Sequence, residues 1–470
     1  MENIRFGTDG WRAVIAEGFT FDNVARVADA TARVWLKEPT AGRRKRVVVG
    51  FDRRFLSDRF ARTTAEVMTA RGFEVLMSPA PLPTPALSLA VVEHEAVGGV
   101  MLTASHNPPR FNGFKVKAHF GGSADPALCQ RIEACLELEV PAGEAREDAI
   151  EIHDFTTAHL RRLKQLVDFK LVAGSGLRFA HEALFGVGAG CFDRLLKGTS
   201  CRVTTLNATH DPFFGGINPE PVPANYSRSS AFLRKHPHDL CLVTDGDADR
   251  VGGMTGRGGA LTTHAIIALL LRHLSVHRGL QGRVVKALTT TSMIDKMCAD
   301  AGLPLVETGV GFKYIAAEML KGGVLLGAEE SGGIGFPGHI PERDGILAGL
   351  MLLEMLAVER RPLEKLLAGL ERKYGPHRYA RLDTHFPVER RAELMEACRN
   401  HPPAKLLNSP VEKVQSFDGV KYTARDGSWL MVRGSGTEPV LRIYAEAATE
   451  AGAARMVETG KRMARRICFS

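Results

Sequence analysis

Cysteine is sparse in this sequence of 470 residues: there are eight, and no two form a Cys-x-x-Cys pair. This excludes a disulfide-stapled protein and favours buried free thiols in a reducing compartment. The first residues hold no apolar stretch typical of a signal peptide, so we expect a cytoplasmic protein. The most apolar helix candidate, residues 346–358, carries Glu354 and is too short to span a bilayer. We expect it to be a buried helix, and we expect no membrane association.

Aromatic residues suited to base stacking are also few, with six Tyr and three Trp. The net charge of +8 is compatible with nucleic acid, an anionic surface or small anionic substrates. The densest basic clusters, residues 43–46 and 462–466, lie beside no aromatic-rich motif. A small phosphorylated substrate explains the charge as well as nucleic acid does. Because the basic residues are dispersed, we expect no nucleic-acid partner.

The length and the 44% of hydrophobic residues suggest three or four domains with a large core. Apolar β-branched runs alternate with helical patterns, which favours α/β layers with largely parallel sheets. The strand candidates are residues 47–50, 97–102, 240–244, 284–285 and 324–326, and the helix candidates include residues 24–36 and 60–71. Glycine-, proline- or acid-rich stretches at 137–154, 252–259 and 374–387 are candidate boundaries. They divide the chain into about four pieces.

The last piece has a different pattern. Two short strands are predicted at residues 429–432 and 440–445, and a helix follows at 450–467. This order predicts a small α+β domain rather than a fourth α/β domain.

A first candidate site is the segment 103–109, Thr-Ala-Ser-His-Asn-Pro-Pro, which follows the predicted strand 97–102. Ligands of α/β proteins bind at the carboxyl ends of strands. The two prolines forbid a helix and hold Ser105 on a rigid turn, where its hydroxyl could be a nucleophile or a phosphoryl carrier. The alternative is a turn in which Ser and Asn bond only to local backbone.

A second candidate site holds three carboxylates at alternate positions directly after an apolar strand: Asp245, Asp247 and Asp249. They converge only if metal or protons offset their repulsion, and oxygen ligands of this kind suit Mg²⁺. An EF-hand is excluded, because its sixth and twelfth loop positions hold Arg250 and Gly256. A solvated acidic turn is the alternative.

A third candidate site is the segment 432–439, Val-Arg-Gly-Ser-Gly-Thr-Glu-Pro, between two predicted strands. Two glycines, the hydroxyls of Ser435 and Thr437 and the fork-shaped cation of Arg433 suit a phosphate. It is not a Walker A loop, because the Gly-Lys-Ser/Thr ending is missing. A hairpin turn is the alternative.

A fourth candidate site is the segment 327–333, Gly-Ala-Glu-Glu-Ser-Gly-Gly, which follows the predicted strand 324–326. The carboxylate of Glu329 and the hydroxyl of Ser331 on a glycine-bounded turn could bind sugar hydroxyls. The alternative is a helix N-terminus with favourable acidic residues.

Taken together and in this order, the four segments resemble the α-D-phosphohexomutase family. The resemblance covers essentially the whole chain and begins at residues 6–12, Phe-Gly-Thr-Asp-Gly-Trp-Arg, which look like the family's N-terminal signature. It implies three α/β domains with mixed sheets and a small C-terminal α+β domain, around an active site in a central cleft. The predicted domains are residues 1–145, 146–253, 254–372 and 373–470.

The resemblance also implies the roles of individual residues. Ser105 matches the serine that carries phosphate, and Asp245, Asp247 and Asp249 match the Mg²⁺ ligands, with a phosphoserine oxygen completing the metal site. The other residues that we place in the catalytic centre are Arg12, His106, Lys115 and Arg250. Those that we place against the substrate are Lys313, Glu329 and Ser331 for the sugar, and Arg433, Ser435, Gly436 and Thr437 for its existing phosphate.

The implied reaction transfers the phosphoryl group of Ser105 to the free hydroxyl of a hexose monophosphate. A hexose 1,6-bisphosphate results, turns over in the cleft and returns its other phosphate to Ser105; the same bisphosphate is the expected activator. Such chemistry depends on positioning and charge neutralisation. We expect a monomer or weak homodimer.

Two segments bear on the sugar. Residues 308–313, Thr-Gly-Val-Gly-Phe-Lys, and the Glu-Glu-Ser-Gly-Gly of 329–333 look more like phosphoglucomutases than like mannose- or glucosamine-directed members, although Ala328 stands where the family usually has Gly. We therefore expect glucose phosphates as substrates. Phosphomannomutase and phosphoglucosamine mutase are the alternatives within the family, and a Mg²⁺-dependent sugar phosphatase is the alternative outside it.

Overall fold

The computed structural model describes residues 4–7, 9–37, 43–137, 143–434 and 439–468. The strands form four sheets, and we refer to the parts of the chain built on them as units I to IV. Three α/β units with mixed sheets precede a C-terminal unit with an antiparallel sheet, so the predicted fold is confirmed. No helix in the described ranges is long and apolar enough to cross a membrane.

Unit I is a six-stranded mixed sheet with helices on both faces. Its elements are β1 (Trp11–Val14), α1 (Phe21–Lys37), β2 (Arg44–Phe51), α2 (Ser57–Ala70), β3 (Glu74–Met77), α3 (Thr84–Glu93), β4 (Ala96–Leu102), β5 (Phe111–Ala118), α4 (Pro126–Ala134) and β6 (Ile150–Ile152). The strand order is β1-β5-β4-β2-β3-β6, in which β2 runs parallel to β3 and β4, and β5 runs antiparallel to β1 and β4. Helix α1 is buried on all sides along its middle, residues 27–32, and its apolar residues belong to the core of this unit.

Unit II is a five-stranded mixed sheet. Its elements are α5 (Phe155–Gln165), α6 (Phe169–Ala173), β7 (Arg178–Glu182), α7 (Cys191–Leu195), β8 (Arg202–Leu206), α8 (Ser227–Lys235), β9 (Leu240–Thr244), β10 (Val251–Thr255) and β11 (Ala260–Leu261). The order is β11-β10-β9-β7-β8, with β7 parallel to β8 and β9 and the hairpin β9–β10 antiparallel.

Unit III is a four-stranded sheet in the order β13-β12-β14-β15, with only β15 antiparallel. Its elements are α9 (Thr263–Arg272), β12 (Arg283–Ala287), α10 (Met293–Ala301), β13 (Leu305–Thr308), α11 (Phe312–Leu320), β14 (Val324–Ala328), β15 (Ile334–Gly335), α12 (Gly345–Glu359) and α13 (Leu363–Tyr374). Helix α12 is the predicted buried helix. One core cluster, containing residues between 160 and 370, joins units II and III around it.

Unit IV is a six-stranded sheet with two helices. Its elements are β16 (Arg378–His385), α14 (Arg391–Asn400), β17 (Lys405–Leu406), β18 (Ser409–Gln415), β19 (Val420–Ala424), β20 (Trp429–Gly434), β21 (Val440–Ala447) and α15 (Glu450–Cys468). The order is β16-β21-β20-β19-β18-β17, antiparallel throughout. Short 3₁₀ turns in the described parts of the chain span Glu147–Ala149, Phe214–Gly216, Pro223–Asn225 and Val388–Arg390, and a π-helical turn spans His273–His277.

The predicted boundary segments hold strands. Residues 374–387 hold β16, the first strand of unit IV, which pairs with β21 along its whole length. Its side chains alternate between half-buried and exposed, so no apolar run marks it in the sequence. The first sheet continues past residue 145 through β6, and the second continues past residue 253 through β10 and β11. The other strands missed in unit IV are the two-residue β17, the largely exposed β18 and the buried β19.

Candidate active site

A cleft of about 480 Å³ lies where the four units meet. Each unit contributes side chains to its wall, and the predicted site residues among them are Arg12, His106, Arg250, Lys313, Glu329, Ser331 and Arg433. Ser105, Lys115 and the three aspartates are fully buried beside it. The loops that follow β4, β9 and β14 converge here, as the carboxyl ends of strands do in α/β folds.

The Ser105 loop is held by its backbone. Ser105 has φ +52°, in the left-handed region that a side chain disfavours, and its N–H donates to Thr103 Oγ1 at 2.9 Å. Arg54, which is buried, donates to four carbonyls of this loop, those of Ser105, Asn107, Pro108 and Phe111. The hydroxyl of Ser105 donates to Asp245 Oδ2 at 3.0 Å, and His106 Nδ1 lies 3.4 Å from it. The serine hydroxyl and the acidic loop, which are 140 positions apart in sequence, are therefore in direct contact.

The three aspartates form a buried cluster whose carboxylate oxygens lie within 4.8 Å of one another. Burial and the negative charges of Asp249 and Asp247 raise the pKa of Asp245 well above its usual value. Asp247 Oδ1 and Asp249 Oδ1 are buried and accept no hydrogen bond from the described residues. Oxygens that lack partners, in a cluster of excess negative charge, fit a hard divalent cation such as Mg²⁺.

Two buried cations bridge the units around this cluster. Lys115 Nζ contacts Asp9 and Asp247 at 2.8 Å and Asp249 at 3.3 Å. Burial alone would lower the pKa of Lys115, but these carboxylates outweigh it and the pKa is raised. Arg343 Nη2 donates to Asp9 and to Asp249 at 2.7 Å, and its Nη1 donates to Glu329 at 3.0 Å. Arg343 therefore connects units I, II and III. No local pattern in the sequence marks Arg343, and Asp9 stands in the segment 6–12 without a predicted role.

The surroundings of the Ser105 loop are also basic. Arg12 Nη1 donates to Asn107 Oδ1 at 2.6 Å. Burial lowers the pKa of His106 well below its usual value, and the charges of Arg250 and Arg12 add to this effect. His106 is therefore neutral at physiological pH, next to the Ser105 hydroxyl.

The sugar-loop residues lie on the unit III wall of the cleft. Ser331 Oγ donates to Glu329 Oε1 at 2.7 Å, and Arg343 holds the same oxygen. Lys313, in the first turn of α11, lines the cleft and lies 5.4 Å from the ring centre of Tyr314. The predicted carboxylate and hydroxyl thus form one hydrogen-bonded pair, with a lysine on the same wall.

The unit IV wall carries more arginine than the sequence pattern indicated. Arg433, at the end of β20, donates from Nε to Asp418 Oδ1 at 2.9 Å. Arg381 and Arg442, on β16 and β21, line the same wall, as does Tyr444. The sequence signal that could have identified Arg442 is its place on the strand that follows the phosphate loop. Ser435, Gly436 and Thr437 lie outside the described residues.

Comparison with known proteins covers nearly the whole chain. Family models match in order: "Phosphoglucomutase/phosphomannomutase, alpha/beta/alpha domain I" at residues 3–140, domain II at 157–258, domain III at 262–374 and the C-terminal domain at 388–459. A protein described as probable phosphoglucosamine mutase from Methanopyrus kandleri is 31% identical, over 95% of this chain and 94% of its own. A phosphoglucomutase from Komagataeibacter xylinus is 27% identical over 97% of this chain and 90% of its own.

Among solved structures, one described as "putative phosphomannomutase" from Thermus thermophilus superposes with a TM-score of 0.87. It is 35% identical, and 100% of each chain is covered. The named relatives differ in their sugar but share the phosphohexomutase class. Three findings point to the same family: the four matched domain models, the relative above 30% identity, and the contact between the serine and aspartate loops. The chain belongs to the phosphoglucomutase/phosphomannomutase family and is a phosphohexomutase, an intramolecular phosphotransferase.

Proposed function

We propose that this phosphohexomutase interconverts glucose 1-phosphate and glucose 6-phosphate, with Ser105 as the phosphoryl carrier and glucose 1,6-bisphosphate as intermediate and activator. The observation that carries the proposal is the contact between Ser105 Oγ and Asp245, at the meeting point of four units. A hydroxyl fixed on a strained turn, beside a cluster that suits a divalent cation, is arranged for phosphoryl transfer.

Two transfers balance the reaction. In the first, the O–P bond at Ser105 breaks and the phosphoryl group forms a bond with the free hydroxyl of the bound monophosphate, whose proton leaves with a base. After the bisphosphate has turned over, its other sugar O–P bond breaks, that phosphoryl group forms a bond with the oxygen of Ser105, and the sugar oxygen takes up the proton from the base, so that the second monophosphate is released. Because the bisphosphate must turn over before release, the cleft has to hold it from both ends.

Asp245, Asp247 and Asp249 would hold Mg²⁺, together with an oxygen of the phosphorylated Ser105. When bound, the ion supplies positive charge that stabilises the oxygens of the phosphoryl group in transfer. Lys115 and Arg12 supply fixed positive charge to the same group, in a buried place where such interactions are strong. Arg250, which lines the cleft and lies 3.7 Å from Asp249, orients the cluster from the substrate side.

The sugar and its existing phosphate are held by the opposite walls. Glu329 and Ser331 receive sugar hydroxyls, with Lys313 as a further donor. Arg433, with Ser435, Gly436 and Thr437 of the same loop, receives the phosphate that is not reacting, through charge-assisted hydrogen bonds. Since the two ends of the bisphosphate take turns at Ser105, one phosphate loop serves both.

Glucose is proposed because residues 308–313 and 329–333 look like the glucose-directed members. Glucosamine phosphate is the second candidate, since relatives described as phosphoglucosamine mutases match over nearly the full chain. The test measures kcat/KM for glucose, mannose and glucosamine 1-phosphates side by side, with Mg²⁺ and the matching bisphosphate. A higher kcat/KM for glucosamine phosphate would replace the proposed substrate. Turnover that releases inorganic phosphate and needs no bisphosphate would indicate a phosphatase instead.

A further inference from the structure

We propose that Asp418 is a positioning residue that orients Arg433 for the substrate phosphate and ties the phosphate loop to the unit III segment carrying Lys313. This inference rests on the proposed function, in which Arg433 binds the phosphate that is not reacting. Asp418 lies in the turn between β18 and β19 and belongs to none of the four sequence segments considered above.

The carboxylate of Asp418 makes two hydrogen bonds to different units. Its Oδ1 accepts from Arg433 Nε at 2.9 Å, within unit IV. Its Oδ2 accepts from the backbone N–H of Val310 at 2.6 Å, in unit III. Asp418 is therefore the shared acceptor of two elements that both line the cleft.

The turn that carries Asp418 is pressed against β20. Gly419 has φ +81°, and a Cβ there would lie 2.6 Å from the carbonyl oxygen of Val432 and 2.9 Å from Arg433 Cβ. Only glycine fits this approach, which sets the Asp418 carboxylate beside the Arg433 side chain. The position of the carboxylate is thus fixed by the sheet rather than by a long flexible side chain.

This contact determines which edge of the guanidinium remains for a ligand. A guanidinium has five N–H donors, and the bond to Asp418 uses the one on Nε. The two terminal nitrogens form the paired edge that suits bidentate recognition of a phosphate. The Asp418 charge also raises the pKa of Arg433 against the opposing effect of burial.

The second hydrogen bond extends this effect to the sugar side of the cleft. Val310 is three positions before Lys313, and the segment between them leads into α11 through Gly311 at φ +129°. A displaced Asp418 would release both Arg433 and this segment. The alternative is that Asp418 only stabilises its own turn, in which case substrate affinity would not depend on it.

The experiment compares Asp418→Asn with the parent enzyme. The asparagine amide has the size of the Asp418 carboxylate but no charge. Its NH₂ group can only donate, so it would face the N–H of either Arg433 or Val310 and lose that hydrogen bond. We expect KM for both glucose 1-phosphate and glucose 6-phosphate to rise about tenfold or more, with kcat within about twofold. The inhibition constant of inorganic phosphate should rise by a similar factor. Asp426→Asn is the matched control, because Asp426 caps the neighbouring β19–β20 turn through Ser428.

A double-mutant cycle separates this inference from the proposed function. In an Arg433→Ala background, Asp418→Asn should raise KM by a smaller factor than it does in the parent, because the effect through Arg433 is gone and only the effect through Val310 remains. An equal rise in both backgrounds would overturn the role of Asp418 and leave Arg433 as the phosphate ligand. If Arg433→Ala alone has the same KM values as the parent enzyme, the proposed contact between Arg433 and the substrate phosphate is wrong.

Folding is checked by the thermal midpoint of each variant. If Asp418→Asn does not fold, Asp418→Glu serves as the test, because it keeps the charge and displaces the carboxylate by one methylene. An increase in KM with kcat nearly unchanged supports the positioning role, and parent kinetics refute it.

Discussion

Replacing Ser105 by alanine and by glycine separates its chemical role from its backbone role. Both replacements remove the hydroxyl that contacts Asp245, so both should abolish the transfer of phosphate. They differ in the backbone, because Ser105 has φ +52°, which glycine adopts without penalty and alanine does not. We therefore expect both variants to lose activity to the same extent, and Ser105→Gly to be more stable than Ser105→Ala.

The magnitudes follow from these two effects. Loss of a covalent carrier should lower kcat at least about a thousandfold in either variant. The left-handed conformation costs a non-glycine residue about 1 kcal/mol, so Ser105→Gly should be about 1 kcal/mol more stable than Ser105→Ala. The bonds to Thr103 and Arg54 involve the backbone of residue 105 and remain in both variants.

The assay combines turnover, intact-protein mass and thermal denaturation. After treatment with glucose 1,6-bisphosphate, the parent should gain the mass of one phosphoryl group, and neither variant should. Ser78→Ala is the control, since Ser78 is a buried serine of the same unit whose Oγ donates to the carbonyl of Ala80. Substantial turnover by Ser105→Ala, or a phosphoryl group still gained by it, would refute the carrier assignment.

Three further outcomes are expected. Asp247→Ala should require more Mg²⁺ for half-maximal activity and lower kcat, and an unchanged Mg²⁺ dependence would contradict the metal site. Arg433→Ala should raise KM for both glucose phosphates about tenfold to a hundredfold, whereas a rise for one isomer alone would argue against a shared phosphate loop. Burial lowers the pKa of His264 to about 4 from 6.5, so near pH 5 the unfolded chain binds a proton that the folded protein does not. His264 should therefore lower the free energy of unfolding by about 2 kcal/mol between neutral pH and pH 5, as measured by urea denaturation. This part of the pH dependence should be absent in His264→Gln and present in the control His401→Gln, whose histidine is exposed.

The fold was largely predictable because most of its strands are buried on both faces. Such strands read as apolar runs, as in β4 and β9, and they alternate with amphipathic helices. Strands with one half-exposed face carry a weaker signal, and β16 and β18 were missed for this reason. Burial alone does not decide this, because β5, β7 and β10 are buried and were also missed: polar residues or glycines interrupt their apolar runs. The sequence marks a strand clearly where an unbroken apolar run is buried on both faces.

The site was predictable where its chemistry is local in sequence. The Ser105 turn and the three alternate aspartates each occupy a few positions after a strand, and the structure brings them to one edge. Arg343 shows why the rest was missed: its partner Asp9 is 334 positions away, and neither residue forms a local pattern with the other. Arg54 is similar, because it acts on backbone carbonyls and leaves no side-chain signature. Residues whose role is to hold other residues are visible only after the chain has folded.

Asp9 holds Lys115 and Arg343 from outside the aspartate cluster. Lys115 and Arg343 both contact Asp249, and Lys115 also contacts Asp247. A metal ion held by these aspartates would draw on the same carboxylates and weaken their hold on both cations. Asp9 is outside the cluster and contacts Lys115 at 2.8 Å and Arg343 at 2.7 Å through one oxygen, while its other oxygen accepts from Ser123. Asp9 therefore holds the two buried cations through contacts that do not involve the aspartate cluster, and we expect Lys115 and Arg343 to keep their places when that cluster binds a metal ion.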